Sequence, residues 1–325
     1  VLVGVLVPID PERPVPPPEA RPIGRAALML RAEGVPVAFG DEVRGGCLTG
    51  LMPRPGGWER VEQRPVVALL DRFPSQTRAA RFGEIQRGLD GVPLLNVPAF
   101  TELCRDKLRC QQVLEQAGVP APPVEADPER FAERLAQWGA GFLKPRFGAL
   151  GVGVRRVTLG DPLPARLPGV RSDSLDPALL QRAVAAPSGW AGVSVRVLAQ
   201  RAPGGGWEQG EPVVRRSRGD SVVNAARGAE VAAGRDALAS DTRARVRALT
   251  ARVTEALCSG PGAIEIGVDL VIDPQGRPHL IEVNSRPRGR MEVLARQDRA
   301  RFGALHLDAC ARPLRYLAWR YGSGR

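Results

Sequence analysis

Between Ala263 and Asn284 the chain gathers carboxylates on one side of a strand pair. Ile264, Ile266, Val268, Leu270 and Ile272 share one face, and Glu265, Gly267 and Asp269 share the other. This is the period-two pattern of a strand with one apolar side. Pro274-Gln275-Gly276-Arg277 reads as a four-residue hairpin loop. With that loop Asp269 stands opposite Glu282, and Asn284 lies two residues further along the same face. Like charges directly opposed across a hairpin repel. Two carboxylates and an amide oxygen suit a hard cation such as Mg²⁺, held together with substrate phosphates. The plainer alternative is a solvated polar face.

A second stretch with chemical content is Lys144-Pro145-Arg146-Phe147-Gly148-Ala149-Leu150-Gly151-Val152-Gly153-Val154. A lysine ends a strand, and glycines follow in a short loop. Such glycines let backbone N–H groups converge on an anion, and an ammonium adds a point charge to the same phosphates. The loop is neither a Gly-Lys-Ser/Thr P-loop nor a G-x-G-x-x-G fingerprint. A plain glycine hairpin between two strands is the structural alternative.

Elements that could position these residues can be read along the chain. Val1–Val7, Pro36–Phe39, Val66–Leu70 and Val92–Leu95 read as strands, with helices over Ile23–Ala32 and Arg78–Leu89. A proline cluster from Pro8 to Pro22 reads as an extended loop. Thr101 is expected to cap a single helix running to Ala117 and stopped by Gly118 and Pro120. Asp127-Pro128 opens another helix, with Phe131, Leu135 and Trp138 on one face and Gly139 at its end. Strands follow at Gly141–Lys144 and Val152–Val157, and Pro162–Pro177 reads as a linker. Val193–Ala199 and Pro212–Arg216 are strands around a Gly204-Gly205-Gly206 turn, and Ser240–Leu257 is an amphipathic helix.

At 325 residues, with 43% hydrophobic and 25% charged side chains, the chain has the composition of a soluble globular protein of about two domains. No apolar run approaches the ~18–20 residues of a membrane span. Cys47, Cys104, Cys110, Cys258 and Cys310 are odd in number and contain no C-x-x-C pair. A disulfide scaffold or Cys₄ zinc site is therefore disfavoured, and a reducing, cytoplasmic setting is expected. The cysteines read as core fillers. Only His279 and His306 could serve a His-rich metal centre, and His279 is expected to face away from Glu282. The net charge of +11 comes from 46 basic residues, all arginine except Lys107 and Lys144. The arginines are spread along the chain and aromatics make up 5%, so a nucleic-acid partner is disfavoured. Both spared lysines fall in segments marked out by other features.

Taken in order, these pieces resemble the ATP-grasp superfamily. The matching residues are Asn96, Asp106-Lys107 before Gly118-Val119-Pro120, Lys144-Pro145, and the Gly148/Gly151/Gly153 loop. Leu179-Leu180-Gln181 looks like the hinge strand that contacts adenine, and Val195-Arg196-Val197 is similar to the arginine strand of glutathione-synthetase-like and RimK-like members. Arg215 or Arg216 with Asn224-Ala225-Ala226-Arg227-Gly228, then Asp269 and Ile281-Glu282-Val283-Asn284-Ser285, complete the series. The resemblance spans Pro93 to Arg290. Asp71-Arg72-Phe73-Pro74 and Asn284-Ser285-Arg286-Pro287 look most like the YheC/YheD-like branch.

The resemblance implies an α/β and α+β protein. Residues 1–100 would form an N-terminal pre-ATP-grasp α/β lobe, followed by an ATP-grasp fold whose two α+β subdomains clamp nucleotide. Residues 101–185 would be the small lid subdomain with the glycine-rich loop, and residues 186–325 the C-terminal subdomain with the metal and acyl-phosphate site. It implies ATP- and Mg²⁺-dependent ligation of a carboxylate to an amine through an acyl phosphate, on an amino acid, peptide or small natural product. Lys107, Lys144, Gly148, Ala149, Gly151, Gly153, Gln181 and Val184 would bind ATP. Asp269, Glu282 and Asn284 would hold two Mg²⁺ ions. Arg196 with Arg215 or Arg216 would stabilise the acyl phosphate, while Asn224 and Arg227 orient it. The glycine loop would act as a lid that excludes water. Partners would be small-molecule or peptide carboxylate and amine substrates, with a homodimer among the assemblies allowed and no membrane. The alternative is a catalytically lapsed ATP-grasp scaffold or a spore-coat-type binding protein. It is favoured by Ala149 where relatives often carry serine, by Arg182 where an acidic residue is common, and by the lack of Asp or Glu between Gln181 and Trp190.

Overall fold

The computed structural model describes residues 1–10, 20–73, 78–148, 151–169, 175–223, 228–260, 262–287 and 291–322. Three sheets carry the fold.

The first sheet contains β1 (Val3–Leu6), β2 (Val37–Arg44), β3 (Cys47–Arg54), β4 (Gly57–Pro65), β5 (Ala68–Asp71) and β6 (Leu94–Leu95), in the order β4-β3-β2-β1-β5-β6. β1 pairs parallel with β2 and β5, and β5 with β6, while β2-β3-β4 is an antiparallel meander. A parallel strand buried on both faces reads as a continuous apolar run, and β1 does so. Val3 and Val5 pack with α1 (Arg21–Ala32), through Ile23, Ala26, Ala27 and Leu30. Leu2 and Leu6 face the other way, toward Phe82 and Ile85 of α2 (Arg78–Gly88). The meander strands β3 and β4 are additions to the expected elements. Mostly exposed, β4 buries Val61 alone and offers no apolar periodicity to read.

The expected single helix over residues 101–117 is two helices. α3 (Pro98–Arg105) ends at Asp106, whose extended backbone (φ −83°, ψ 95°) starts α4 (Lys107–Gln116). Thr101 lies buried within α3 instead of capping it, and Pro98 occupies the first turn. The Asp106 carboxylate caps α4 by accepting from the Arg109 N–H at 3.1 Å.

The second sheet contains β7 (Val124–Glu125), β8 (Ala140–Pro145), β9 (Arg155–Thr158), β10 (Arg166–Pro168) and β11 (Leu175–Arg182), in the order β10-β11-β8-β9 with β7 beside β11. Asp127 caps a 3₁₀ turn over Pro128–Arg130 that leads into α5 (Phe131–Trp138). The helix stops at Gly139 with φ 74°, as its sequence expects. Phe131 and Leu135 pack on Leu143, Val157 and Leu180. The stretch expected as a linker supplies β10 and the start of β11.

The third sheet is antiparallel: β12 (Gly192–Arg201), β13 (Trp207–Gln209), β14 (Val213–Ser217), β15 (Glu230–Ala233), β16 (Glu265–Ile272) and β17 (Pro278–Asn284). Its order is β15-β14-β12-β16-β17, with β13 on β12. After the short α6 (Gly234–Ala237), α7 (Ser240–Leu257) lays Val246, Leu249 and Val253 on the apolar face of this sheet, together with Leu114 of α4. α8 (Met291–Gln297) then leads into α9 (Arg299–Gly322). Ala311, Leu314 and Leu317 of α9 return to the core of the first sheet.

Two ion pairs between half-buried arginines and buried carboxylates, with one amide, join the first sheet to the third. Arg286 donates to Asp71 at 2.7 Å, and Arg72 pairs with Glu265. The Asn96 amide accepts from the Ile264 and Glu265 N–H groups and donates to the Glu265 and Ser285 carbonyls. Its four bonds span both strands of the acidic hairpin and fix that hairpin against the first lobe.

Candidate active site

The acidic hairpin is β16–β17. Asp269 pairs with Glu282 and Gly267 with Asn284 in its register. Two deviations from the simplest hairpin cancel. The loop spans 273–277, one residue longer than expected, and the pairing shifts between Asp269 and Leu270. A bulge of one residue restores the parity a longer loop would have broken. Asp273 organises the loop, accepting from the N–H groups of Gln275 and Arg277 and from the Arg277 guanidinium. His279 contacts this same carboxylate at 3.1 Å, at the end of the hairpin away from Glu282.

Asp269 is buried, and its carboxylate is fully engaged. Oδ1 accepts from Arg196 Nε and Arg215 Nη2, both at 2.8 Å. Oδ2 accepts from Arg196 Nη2 and from Asn284 Nδ2, the latter at 2.8 Å. Burial alone would push this carboxyl up, but Arg196 and then Arg215 outweigh it and hold it below the ordinary aspartate value. Gly267 makes room for this grip. A Cβ there would stand 2.9 Å from Pro287 Cβ and 3.8 Å from Arg196 Nε. Of the two neighbouring arginines on β14, Arg215 turns to Asp269. Arg216 turns to the opposite face, 3.5 Å from Glu230 and 4.7 Å from the Trp190 ring.

Lys107, at the start of α4, donates through Nζ to the Gly148 carbonyl and lies 4.0 Å from Glu282. Lysine, glycine loop and hairpin carboxylate therefore meet at one point. Asp106 fixes this junction, because Arg146 grips it with a bidentate pair at 2.8 and 2.6 Å. The Lys107 N–H also donates to the Arg146 carbonyl at 3.2 Å. Lys144 ends β8 with only 5% of its surface exposed and donates to Gln181 Oε1 at 2.9 Å. Gln181 sits on β11, and its Nε2 is buried without a partner among the described residues. Val184 follows in the irregular, half-buried segment after β11. Gly151 (φ 74°) and Gly153 (φ 70°) hold left-handed backbone, and a Cβ on Gly153 would stand 2.9 Å from the Pro168 carbonyl. Ala149, Asn224 and Arg227 lie outside the described residues.

Residues absent from the expected set also enter this neighbourhood. Arg146 is one, and Ser194 is another, directly opposite Arg215 in the β12–β14 register. Period-two spacing from Arg196 marks Ser194 as sharing its face, the one signal in the sequence that could have found it. Cys104 and Cys110 line a small cavity of about 20 Å³ behind Lys107 and Glu282. Contact with Cys110, then burial, pushes the Cys104 thiol well above its ordinary value, which suits a core filler better than a nucleophile. A larger hollow of about 440 Å³ on the first sheet, lined by Arg31, Arg54, Glu59 and Arg64, includes none of these residues.

Burial, reinforced by Lys107, pushes the Lys144 ammonium down to about 7 from the ordinary 10.5. Between those values the unfolded chain holds more protons than the folded one, so this lysine makes stability rise with pH across that window. Urea unfolding of wild type and Lys144→Met across the window is expected to show a flatter rise in the variant. Parallel profiles would mean that Lys144 keeps an ordinary affinity for its proton.

Residues 178–319 match the family described as YheC/D like ATP-grasp. No curated protein matches the chain in sequence. Among solved structures, the VanG D-Ala:D-Ser ligase from Enterococcus faecalis superposes with a TM-score of 0.60 at 13% identity, covering 98% of this chain and 99% of that one. A RimK domain ATP-grasp protein from Sphaerobacter thermophilus gives 0.57 at 16% identity, covering 97% and 99%. D-alanyl-alanine synthetase A from Vibrio cholerae gives 0.55 at 12%, covering 96% and 98%. Likeness at such identities is a likeness of fold, and it runs over nearly the whole chain. The chain has the ATP-grasp fold, and over residues 178–319 it is similar to the YheC/D-like ATP-grasp family.

Proposed function

We propose that the chain is an ATP- and Mg²⁺-dependent ligase that joins a carboxylate to an amine through an acyl phosphate. The observation that carries this reading is the meeting of Lys107 with the Gly148 carbonyl and Glu282, beside the buried Lys144–Gln181 pair. Phosphoryl transfer needs positioning and neutralised charge more than covalent help from the protein, and these groups supply both. Lys107 and Lys144 hold phosphates, and the glycines Gly148, Gly151 and Gly153 allow backbone N–H groups to approach them. Gln181, whose Nε2 has no partner among the described residues, and Val184 would contact an adenine edge. Arg196 and Arg215 neutralise the phosphoryl oxygens as a substrate carboxylate attacks the terminal phosphorus. The acyl phosphate and ADP result, and an amine then displaces phosphate to leave an amide.

The donor set fits Mg²⁺. Two carboxylates and an amide oxygen on paired strands are hard oxygen ligands, and Glu282 is held only by a long ion pair with Lys107 at 4.0 Å. Asp269, Glu282 and Asn284 would hold the metal, which supplies charge neutralisation at the transferring phosphoryl group.

One observation favours the lapsed-scaffold reading instead: every acceptor position of Asp269 is taken by Arg196, Arg215 or Asn284. ADP release separates the two. A ligase releases ADP from Mg²⁺·ATP only when a suitable carboxylate and amine are both supplied, whereas a scaffold binds nucleotide and releases none across a broad panel of both. Strand β5 of the first sheet ends at Asp71, against Arg286 just beyond the hairpin. That edge is where small-molecule or peptide carboxylates would enter. No helix among the described residues is long and apolar enough to cross a membrane.

A further inference from the structure

One face of the third sheet carries Ser194 and Arg196 on β12, Arg215 on β14 and Asp269 on β16. Ser194 stands directly opposite Arg215, and Arg196 directly opposite Asp269. Ser194 and Arg215 are each 7% exposed. Arg215 commits Nη2 to Asp269, but its Nε is buried with no partner among the described residues, and so is Ser194 Oγ. Buried polar groups are nearly always paired, because an unmade bond costs the full desolvation of the group. Here two such groups fall on directly paired positions, beside a carboxylate already surrounded by positive charge. The hydroxyl can donate, and the guanidinium Nε can only donate. Together they form a two-donor pair suited to an anionic oxygen.

We propose that Ser194 Oγ and Arg215 Nε bind one oxygen of the terminal phosphoryl group of the nucleotide, which makes Ser194 a phosphate-binding residue. The proposal rests on the ligase reading above and adds a residue to it. It also carries a consequence that a structural role would not. Ser194→Ala deletes a buried hydroxyl with no partner among the described residues, so the variant is expected to unfold at the same temperature as wild type or higher in the absence of nucleotide.

The test is calorimetric binding of Mg²⁺·AMP-PNP and Mg²⁺·ADP to wild type and Ser194→Ala. One lost hydrogen bond to a charged oxygen is expected to weaken AMP-PNP binding by about tenfold. ADP, which lacks that phosphoryl group, is expected to bind both proteins equally. Equal weakening of both nucleotides, or weakening of neither, overturns the assignment. The second of these results would leave a substrate carboxylate as the oxygen's source. A lower unfolding temperature for Ser194→Ala without nucleotide also overturns it, because the hydroxyl would then serve the fold. Wild-type protein that binds neither nucleotide overturns the ligase reading and this assignment together, whereas nucleotide binding with an unaffected variant overturns the assignment alone.

Discussion

Lys144→Met is expected to lower ADP release by about 10²–10³-fold, the usual cost of one donor to a developing charge, while the fold stays intact. The ammonium is a compact point charge suited to phosphate. Methionine matches its length and removes the penalty of burying an amine with one side-chain partner, Gln181. The buried Gln181 Oε1 loses its donor, so stability at neutral pH is expected to fall by no more than about 1–3 kcal/mol. The depressed ammonium adds a second signature. At pH above about 7 much of the Lys144 population is neutral, and phosphate placed beside it restores the proton. Nucleotide binding there is expected to take up protons, seen as a dependence of the calorimetric heat on the buffer's ionisation enthalpy. Lys144→Met should lose that dependence, and a variant with wild-type turnover would remove Lys144 from the site.

Glu282→Gln is expected to have an equal or larger effect on turnover, and it is a cleaner probe of the metal site than Asp269→Asn. Neutralising Asp269 would strand two guanidiniums that now share its carboxylate. Breaking a buried ion pair typically costs about 3–5 kcal/mol, so lost activity in that variant would be confounded by lost structure. Glu282 is half-buried, and its ion pair with Lys107 is long at 4.0 Å. Glutamine there should change stability by no more than about 1 kcal/mol while removing an anionic oxygen from the cation's donors. Activity lost in Glu282→Gln without loss of stability supports metal binding on this face. Full activity would contradict it.

The acidic hairpin was legible because face assignment needs only parity. Asp269 falls opposite Glu282 although the loop is longer than expected, since the bulge in the pairing restores the register. The lysines and the glycine loop were legible from residue type, and their rarity or clustering survives without knowledge of the fold. The grip on Asp269 was not, because it depends on β12, β14 and β16 lying side by side, which no local pattern encodes. The same holds for the choice of Arg215 over Arg216. The break at Asp106 was hidden because its capping bond and its ion pair with Arg146 come from opposite directions, one local and one from a distant strand. The edge strands β4 and β10 were hidden because mostly exposed strands carry little apolar periodicity, β3 because a register shift between Leu48 and Gly50 breaks its alternation, and the return of α9 to the first sheet because helix periodicity does not name the partner surface.

Thermal unfolding of wild type and Lys144→Ala, with and without Mg²⁺ and a non-hydrolysable ATP analogue, reports whether these residues form a nucleotide site. At ligand concentrations of ~100 times Kd, binding adds about 2.7 kcal/mol, a rise of a few degrees in a protein of this size. That rise is expected in wild type, together with its dependence on Mg²⁺ and its loss in Lys144→Ala. No rise at millimolar nucleotide, or the same rise in both proteins, would contradict a nucleotide site built on Lys107, Lys144 and the acidic hairpin.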